Sequence, residues 1–155
     1  MSLSETSPQK RGFVFLGSVL TVSIVIYAAI GLLVTVGKGQ AARPGTEALG
    51  AFLLCAGFLC VVAALFIAPR GRPDASGLPP MTPSAVRGRG FVALLISETG
   101  AVLGFVGTFV TMRPVFVLLL GLGAIAANVY WIVPQGARLI EVGERLAAER
   151  PPDAG

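Results

Sequence analysis

The stretch FVALLISETGAVLGFVGTFVTMRPVFVLLLGLGAIAANVYWIV, Phe91 to Val133, carries formal charge only at Glu98 and Arg113. A bilayer span needs about 20 mainly apolar residues. Two such spans fit here back to back, 91–112 and 115–133, parted by Arg113 and Pro114. Proline disfavours helix in the residue before it, and one long helix would hold Arg113 in mid-membrane. A tight hairpin of two antiparallel spans is therefore expected.

Working outward, two more stretches qualify, 12–36 and 48–68, and neither carries a charge. The first is too long, and too well followed by other spans, to be a cleaved signal peptide. The chain as a whole is 54% apolar and 13% charged, with a mean hydropathy of +0.81. Soluble domains carry about 25% charged residues, so lipid is the expected solvent. With the N-terminus inside, the inner segments hold Lys10, Arg11, Arg70, Arg72, Arg87, Arg89, Arg138, Arg145 and Arg150. The outer segments hold only Lys38, Arg43 and Arg113. That excess favours both termini in the cytoplasm.

The expected fold class is all-α: an integral membrane four-helix bundle with cytoplasmic termini and a short C-terminal amphipathic helix. Residues 1–11 are read as a cytoplasmic tail and 12–133 as the membrane domain. Within it, 69–90 reads as a proline- and glycine-rich cytoplasmic linker that cannot bury a core, its arginines meeting anionic headgroups. In the tail, 134–155, Leu139, Val142 and Leu146 recur at helical spacing and Glu141 precedes Arg145 by one turn. This is the expected amphipathic helix, continuing from span four or lying on the inner surface. Arg, Ala and Gly greatly outnumber Lys, as in a genome rich in G and C, and the expected location is a bacterial inner (plasma) membrane.

Composition also excludes. There is no histidine, which removes the commonest metal ligand and the usual general base near neutral pH. Cys55 and Cys60 lie in an apolar run and point about 140° apart on a helix, too far for a two-thiol clamp. Buried thiols of this kind act as small hydrophobes. The basic residues sit between spans and form no face with interleaved aromatics, so no nucleic acid is expected as a partner. Tyr130 and Trp131 read as interfacial belt residues. No extramembrane segment could hold a catalytic domain, and no enzyme activity, cofactor or metal is expected.

Chemistry, if any, centres on Glu98, about 10 Å below the inner end of its span at ~1.5 Å per residue. A carboxylate there costs several kcal/mol unless it is paired, hydrated or protonated. Matching its depth on the other spans gives Asn128, Thr21 and the neighbourhood of Cys60. Each lies on a stripe of small residues that lets helices approach closely. Span three has Ala93, Ser97, Gly100, Gly104, Gly107 and Thr111; span four has Gly121, Ala124 and Asn128. Span one has Gly17, Thr21, Ala28 and Gly31; span two has Gly50, Gly57, Cys60 and Ala64. Glu98, Asn128, Thr21, Ser97 and Thr99 form the candidate ion-binding or buried polar site. Gly100, Gly104, Gly107, Gly121 and Ala124 are the expected packing residues. Glu98 stands about 100° round from Ser97, at the edge of a helix pair, facing a cavity or a neighbouring subunit. The same polar residues would also serve as interhelical hydrogen-bonding glue, worth about 1 kcal/mol each.

The run Ile96-Ser97-Glu98-Thr99-Gly100-Ala101-Val102-Leu103-Gly104-Phe105 resembles the ion-binding helix of the proteolipid (c-type) subunits of rotary ATPases. In that family a membrane carboxylate is followed by small and aliphatic residues and a glycine. The resemblance implies that Glu98 takes up and releases a proton or sodium ion, with small-residue faces allowing ring packing. The four-span plan is similar to the doubled, vacuolar-type proteolipid, although that form carries its carboxylate on an even-numbered helix and has its termini outside. Two functions follow as expectations. One is a structural or accessory subunit that packs against other membrane subunits or copies of itself. The other is an ion-translocating proteolipid-like subunit or small transporter using Glu98.

Overall fold

The structure is a computed structural model and describes residues 7–37, 43–71 and 81–149. The expected N-terminal tail up to residue 6, most of the linker (72–80) and the end of the chain (150–155) lie outside the described residues. Helix α1 spans Pro8–Gly37, α2 Glu47–Ile67, α3 Pro83–Thr111 and α4 Val115–Ala127. A π turn, Asn128–Ile132, then joins α4 directly to α5, Val133–Glu149. Taking α4, the π turn and α5 as one, four helices among the described residues are long and apolar enough to cross a membrane. At ~1.5 Å per residue, α2 is about 31 Å long, close to the roughly 30 Å hydrocarbon core.

Two helices start earlier than expected, for one local reason. At α1, the Ser7 hydroxyl accepts a hydrogen bond from the Lys10 amide (3.1 Å), with Pro8 as the first helical residue. At α3, Thr82 Oγ1 accepts from the Ala85 amide (3.4 Å), with Pro83 next. Ser or Thr as cap followed by Pro is a strong helix start, because the proline lacks only an N–H that would be orphaned there anyway. The C-terminal part of the expected linker, 83–90, is therefore helical and helps form the core: Val86 and Gly90 are buried.

The expected hairpin is present. Met112 closes α3 in the left-handed region (φ 56°), and α4 starts after Pro114. Thr108 Oγ1 accepts from the Val117 amide at 3.0 Å, satisfying a donor of the first turn of α4. The α1–α2 loop is pinned to the same end of the bundle, where the Arg43 amide donates to the Thr111 carbonyl (3.2 Å).

The fourth helix does not stop at Pro134. A proline inside an α-helix removes one hydrogen bond and crowds the carbonyl one turn back. The π turn widens the spiral just before it, and the Val133 amide donates to the Asn128 carbonyl five residues back. The helix passes the proline without breaking.

α3 is the centre of the bundle. Within their apolar windows α3 is 44% buried and α1 only 17%. Along one side α3 meets α2 antiparallel. A Cβ on Gly100 would lie 2.8 Å from the Gly57 carbonyl oxygen, and one on Gly57 would lie 3.1 Å from that of Gly100. The two backbones touch. On another side a Cβ on Gly104 would lie 2.8 Å from the Phe116 carbonyl oxygen of α4. At the opposite end the Phe13 ring of α1 is wedged between Gly90 and Gly136, where a Cβ on either would come to 2.5 Å of a ring carbon. Large apolar side chains such as Phe15, Leu33, Phe52 and Phe66 are exposed on α1 and α2, the surface that hydrocarbon would cover.

Candidate functional site

The site is built around Glu98, which is half-buried on the seam between the parallel helices α1 and α3. Its Oε1 lies 2.6 Å from Ser23 Oγ of α1. That same hydroxyl lies 2.7 Å from the Leu20 carbonyl oxygen of its own helix. One turn outward the seam continues with aromatic rings, Tyr27 and Phe105 at 5.6 Å between centroids, and Phe105 and Phe109 at 4.7 Å.

A serine has one hydroxyl proton and can also accept, so this trio has two consistent states. When Glu98 is ionised, Ser23 donates to it. When Glu98 is protonated, its O–H donates to Ser23 Oγ, and Ser23 turns its own proton to the Leu20 carbonyl. Both states keep every proton in a hydrogen bond without moving a heavy atom. Among the described residues Ser23 is the one side chain that hydrogen-bonds Glu98, and the second carboxyl oxygen has no partner among them.

The residues matched to Glu98 by depth do not meet it. Thr21 Oγ1 donates to the Gly17 carbonyl of its own helix (2.8 Å) and lines a groove of about 350 Å³ between α1 and the fourth helix. Ser97 is buried and donates to the Ala124 carbonyl of α4 at a long 3.4 Å. Thr99 is exposed and donates to the Leu95 carbonyl (2.9 Å). Asn128 is fully buried at the start of the π turn, and neither of its amide atoms has a partner among the described residues.

The stripes explain this division. The α1 stripe faces the fourth helix: a Cβ on Gly17 would meet Val133, one on Gly31 would meet Val117, and Gly121 lies against Ile24 and Ala28. Ser23 lies two residues from Thr21, on the far side of α1, and so reaches α3. Sequence reasoning missed Ser23 because it sits on no stripe. Glu98 is itself off its stripe, so the signal was there: a flank carboxyl calls for a flank hydroxyl at its own depth.

Gly100, Gly104 and Gly107 are all spent on contacts inside the chain, with α2 and α4, and Gly121 and Ala124 are likewise turned to neighbouring helices. Cys55 is exposed, Cys60 half-buried, and both are free thiols. Among the described residues no three His, Cys, Asp or Glu side chains stand close enough to share a metal ion.

No family model, curated protein or solved structure matches the chain. What the site does must therefore be argued from its own chemistry.

The charges outside the membrane form a separate cluster. Lys10 Nζ and Arg145 Nη2 each lie 2.6 Å from Glu141, on Oε2 and Oε1 respectively. The Lys10 ammonium, by its hydrogen bond and its charge, holds the Glu141 carboxyl below its ordinary value of 4.5 against a small opposing cost of burial, and Arg145 adds to the lowering. The cluster ties the start of α1 to α5.

Proposed function

We propose that the protein is a structural or accessory subunit of a membrane complex, in a bacterial inner membrane with both termini in the cytoplasm. The observation that carries this reading is the half-buried Glu98 carboxyl, bonded on one oxygen to Ser23 and open on the other along a seam that borders lipid. Hydrocarbon offers no hydrogen-bond donor, and an unpaired polar group there costs several kcal/mol. A hydroxyl, amide or cation on a neighbouring chain would complete the pair. The tight glycine contacts of α3 are occupied within the chain, so partners would meet the outward faces of α1 and α2. The cytoplasmic orientation rests on the excess of Lys and Arg in the inner segments and their known bias.

A second reading draws on the Glu98–Ser23–Leu20 trio. A carboxyl that keeps its hydrogen bonds in both protonation states suits proton or cation handling, as the resemblance to rotary-ATPase proteolipids implies. With the α3 stripe already occupied, a ring of copies would pack through other faces.

Glu98→Gln separates the two readings. Glutamine keeps the size and a hydrogen-bonding oxygen but cannot titrate. For an accessory subunit the variant should co-purify with the same different chains as the wild type, read by native mass spectrometry after mild-detergent extraction. Glu98→Ala, by contrast, should lose them. Assembly as a homo-oligomer, with transport abolished by Glu98→Gln, would replace the first reading with the second. In that case dicyclohexylcarbodiimide should label Glu98 faster at lower pH.

A further inference from the structure

At the inner end of the bundle, Arg70 and Gly71, just past α2, lie across from the π turn and α5. Between them opens a cleft of about 820 Å³, lined by Arg70, Trp131, Gln135, Arg138, Leu139 and Val142. The two arginines differ from the inner cations Lys10 and Arg145 in what they face. Lys10 and Arg145 are committed to Glu141, whereas no acidic side chain lines the cleft among its described residues.

Arg70 is held in place by its own helix. Its Nη2 donates to the Leu65 carbonyl at 2.7 Å, satisfying one of the acceptors orphaned where α2 ends. Its guanidinium also lies over the Phe66 ring, 5.0 Å from the centroid. Among the described residues no other partner takes the remaining N–H groups of that planar fork, and a fork held still loses little entropy on binding. Arg138 is exposed on α5 and has no ion-pair partner among the described residues. Gln135, half-buried one turn before it, adds an amide donor.

Depth identifies the ligand. Counting ~1.5 Å per residue from Val115, Trp131 lies about 24 Å and Arg138 about 35 Å along the fourth helix. A hydrocarbon core of about 30 Å therefore ends between them. Tryptophan favours that boundary and arginine the headgroup layer just beyond. We propose that this cleft binds the phosphate of an anionic phospholipid headgroup. Arg70 and Arg138 grip the phosphate oxygens from two sides, Gln135 donates a further bond, and Trp131 borders the first carbons of the acyl chains. Guanidinium and phosphate match in geometry as well as charge. A free phosphate shares that chemistry but not the apolar wall at the level of Trp131. This site is independent of Glu98 and of either role assigned to it.

The test is native mass spectrometry of the full chain released from vesicles of phosphatidylglycerol or of phosphatidylcholine. The wild type should retain phosphatidylglycerol in preference. The double variant Arg70→Gln/Arg138→Gln should retain it roughly 30-fold less, from ~1 kcal/mol for each arginine near the headgroups. Arg87→Gln/Arg89→Gln, on inner arginines outside the cleft, should retain it as the wild type does. Excess inorganic phosphate should not displace the lipid. Equal retention of the two lipids, an unaffected double variant, or displacement by phosphate would each overturn the proposal, the last by making it a soluble-anion site. Arg138→Gln alone leaves the Leu65 cap in place and should weaken retention roughly fivefold even where the double variant fails to fold. No weakening there would overturn the proposal as well.

Discussion

The helix α3 is held on two sides by opposite means. Against α2 it is backbone on backbone, Gly100 facing Gly57 with no side chain between them. Against α1 it is side chain on side chain, with Ser23 reaching Glu98 and Tyr27 lying on Phe105. The first contact leaves no room for an alternative, because moving either helix opens a void or drives atoms together. The second is a bridge of rotatable groups with a spare acceptor. In lipid, where apolar burial contributes little between helices, close packing supplies the holding force and polar groups supply adaptability. A bundle that must be stable and still bind something has reason to keep both on one central helix.

The largest effect is expected where the contrast is sharpest. Gly100→Leu would force a side chain into the Gly57 carbonyl and should cost about 3 kcal/mol or more, enough to lose the folded form in a detergent-unfolding titration. Gly121→Ala, whose new carbon meets Ile24 at 3.7 Å, should leave the midpoint unchanged. Similar midpoints for both would mean that backbone contact does not hold α3.

The Phe13 end of the seam is an exception that sharpens the rule, since there a side chain replaces the backbone as the close contact. Phe13 is buried at 4% exposure between two glycines, and Phe13→Ala should cost about 3 kcal/mol by the same titration. Ser23→Ala should cost much less, about 1 kcal/mol, and should alter the reactivity of Glu98 more than the stability. A loss at Ser23 as large as that at Gly100 would erase the distinction between the two sides.

The smallest effect belongs to the charges outside the membrane. The Glu141 carboxyl is held below its ordinary value in the folded chain, so its contribution is present above about pH 4.5 and fades as pH falls through the lowered value. The side chain is 37% exposed, so water screens the pair and the loss should stay below about 1 kcal/mol. Stability measured from pH 7 downward should show this small acid-side decline in the wild type and a weaker one in Lys10→Gln.

Much of the architecture was legible in the sequence because lipid imposes long apolar runs that nothing else requires. The hairpin at Arg113–Pro114 was legible for the same reason, together with proline's effect on the residue before it. The starts at Ser7–Pro8 and Thr82–Pro83 were equally readable, yet surrounding prolines and glycines drew attention to irregularity instead of capping. Continuation past Pro134 was one of two arrangements the sequence left open, since the choice depends on the hydrogen-bond pattern of the preceding turn. At the site, Glu98 stood out by charge alone. Its partner did not, because depth gives a residue's level in the membrane but not its bearing around the helix, and Thr21 and Ser23 share a level while facing opposite ways.

The π turn at Asn128–Ile132 has a consequence for sequence drift. An extra residue within a regular spiral of ~3.6 per turn would rotate everything after it by about 100°, and the widened turn absorbs it. The faces that seat Gly136 against Phe13 and bring Arg138 to the cleft it shares with Arg70 depend on that widened turn. Inserting one more residue beyond it, with no second widened turn to absorb it, would leave the hydropathy of the membrane segment almost unchanged and still swing the whole C-terminal helix to a new bearing. In this part of the chain, length counted to the single residue is a stricter inheritance than the identity of most of the side chains.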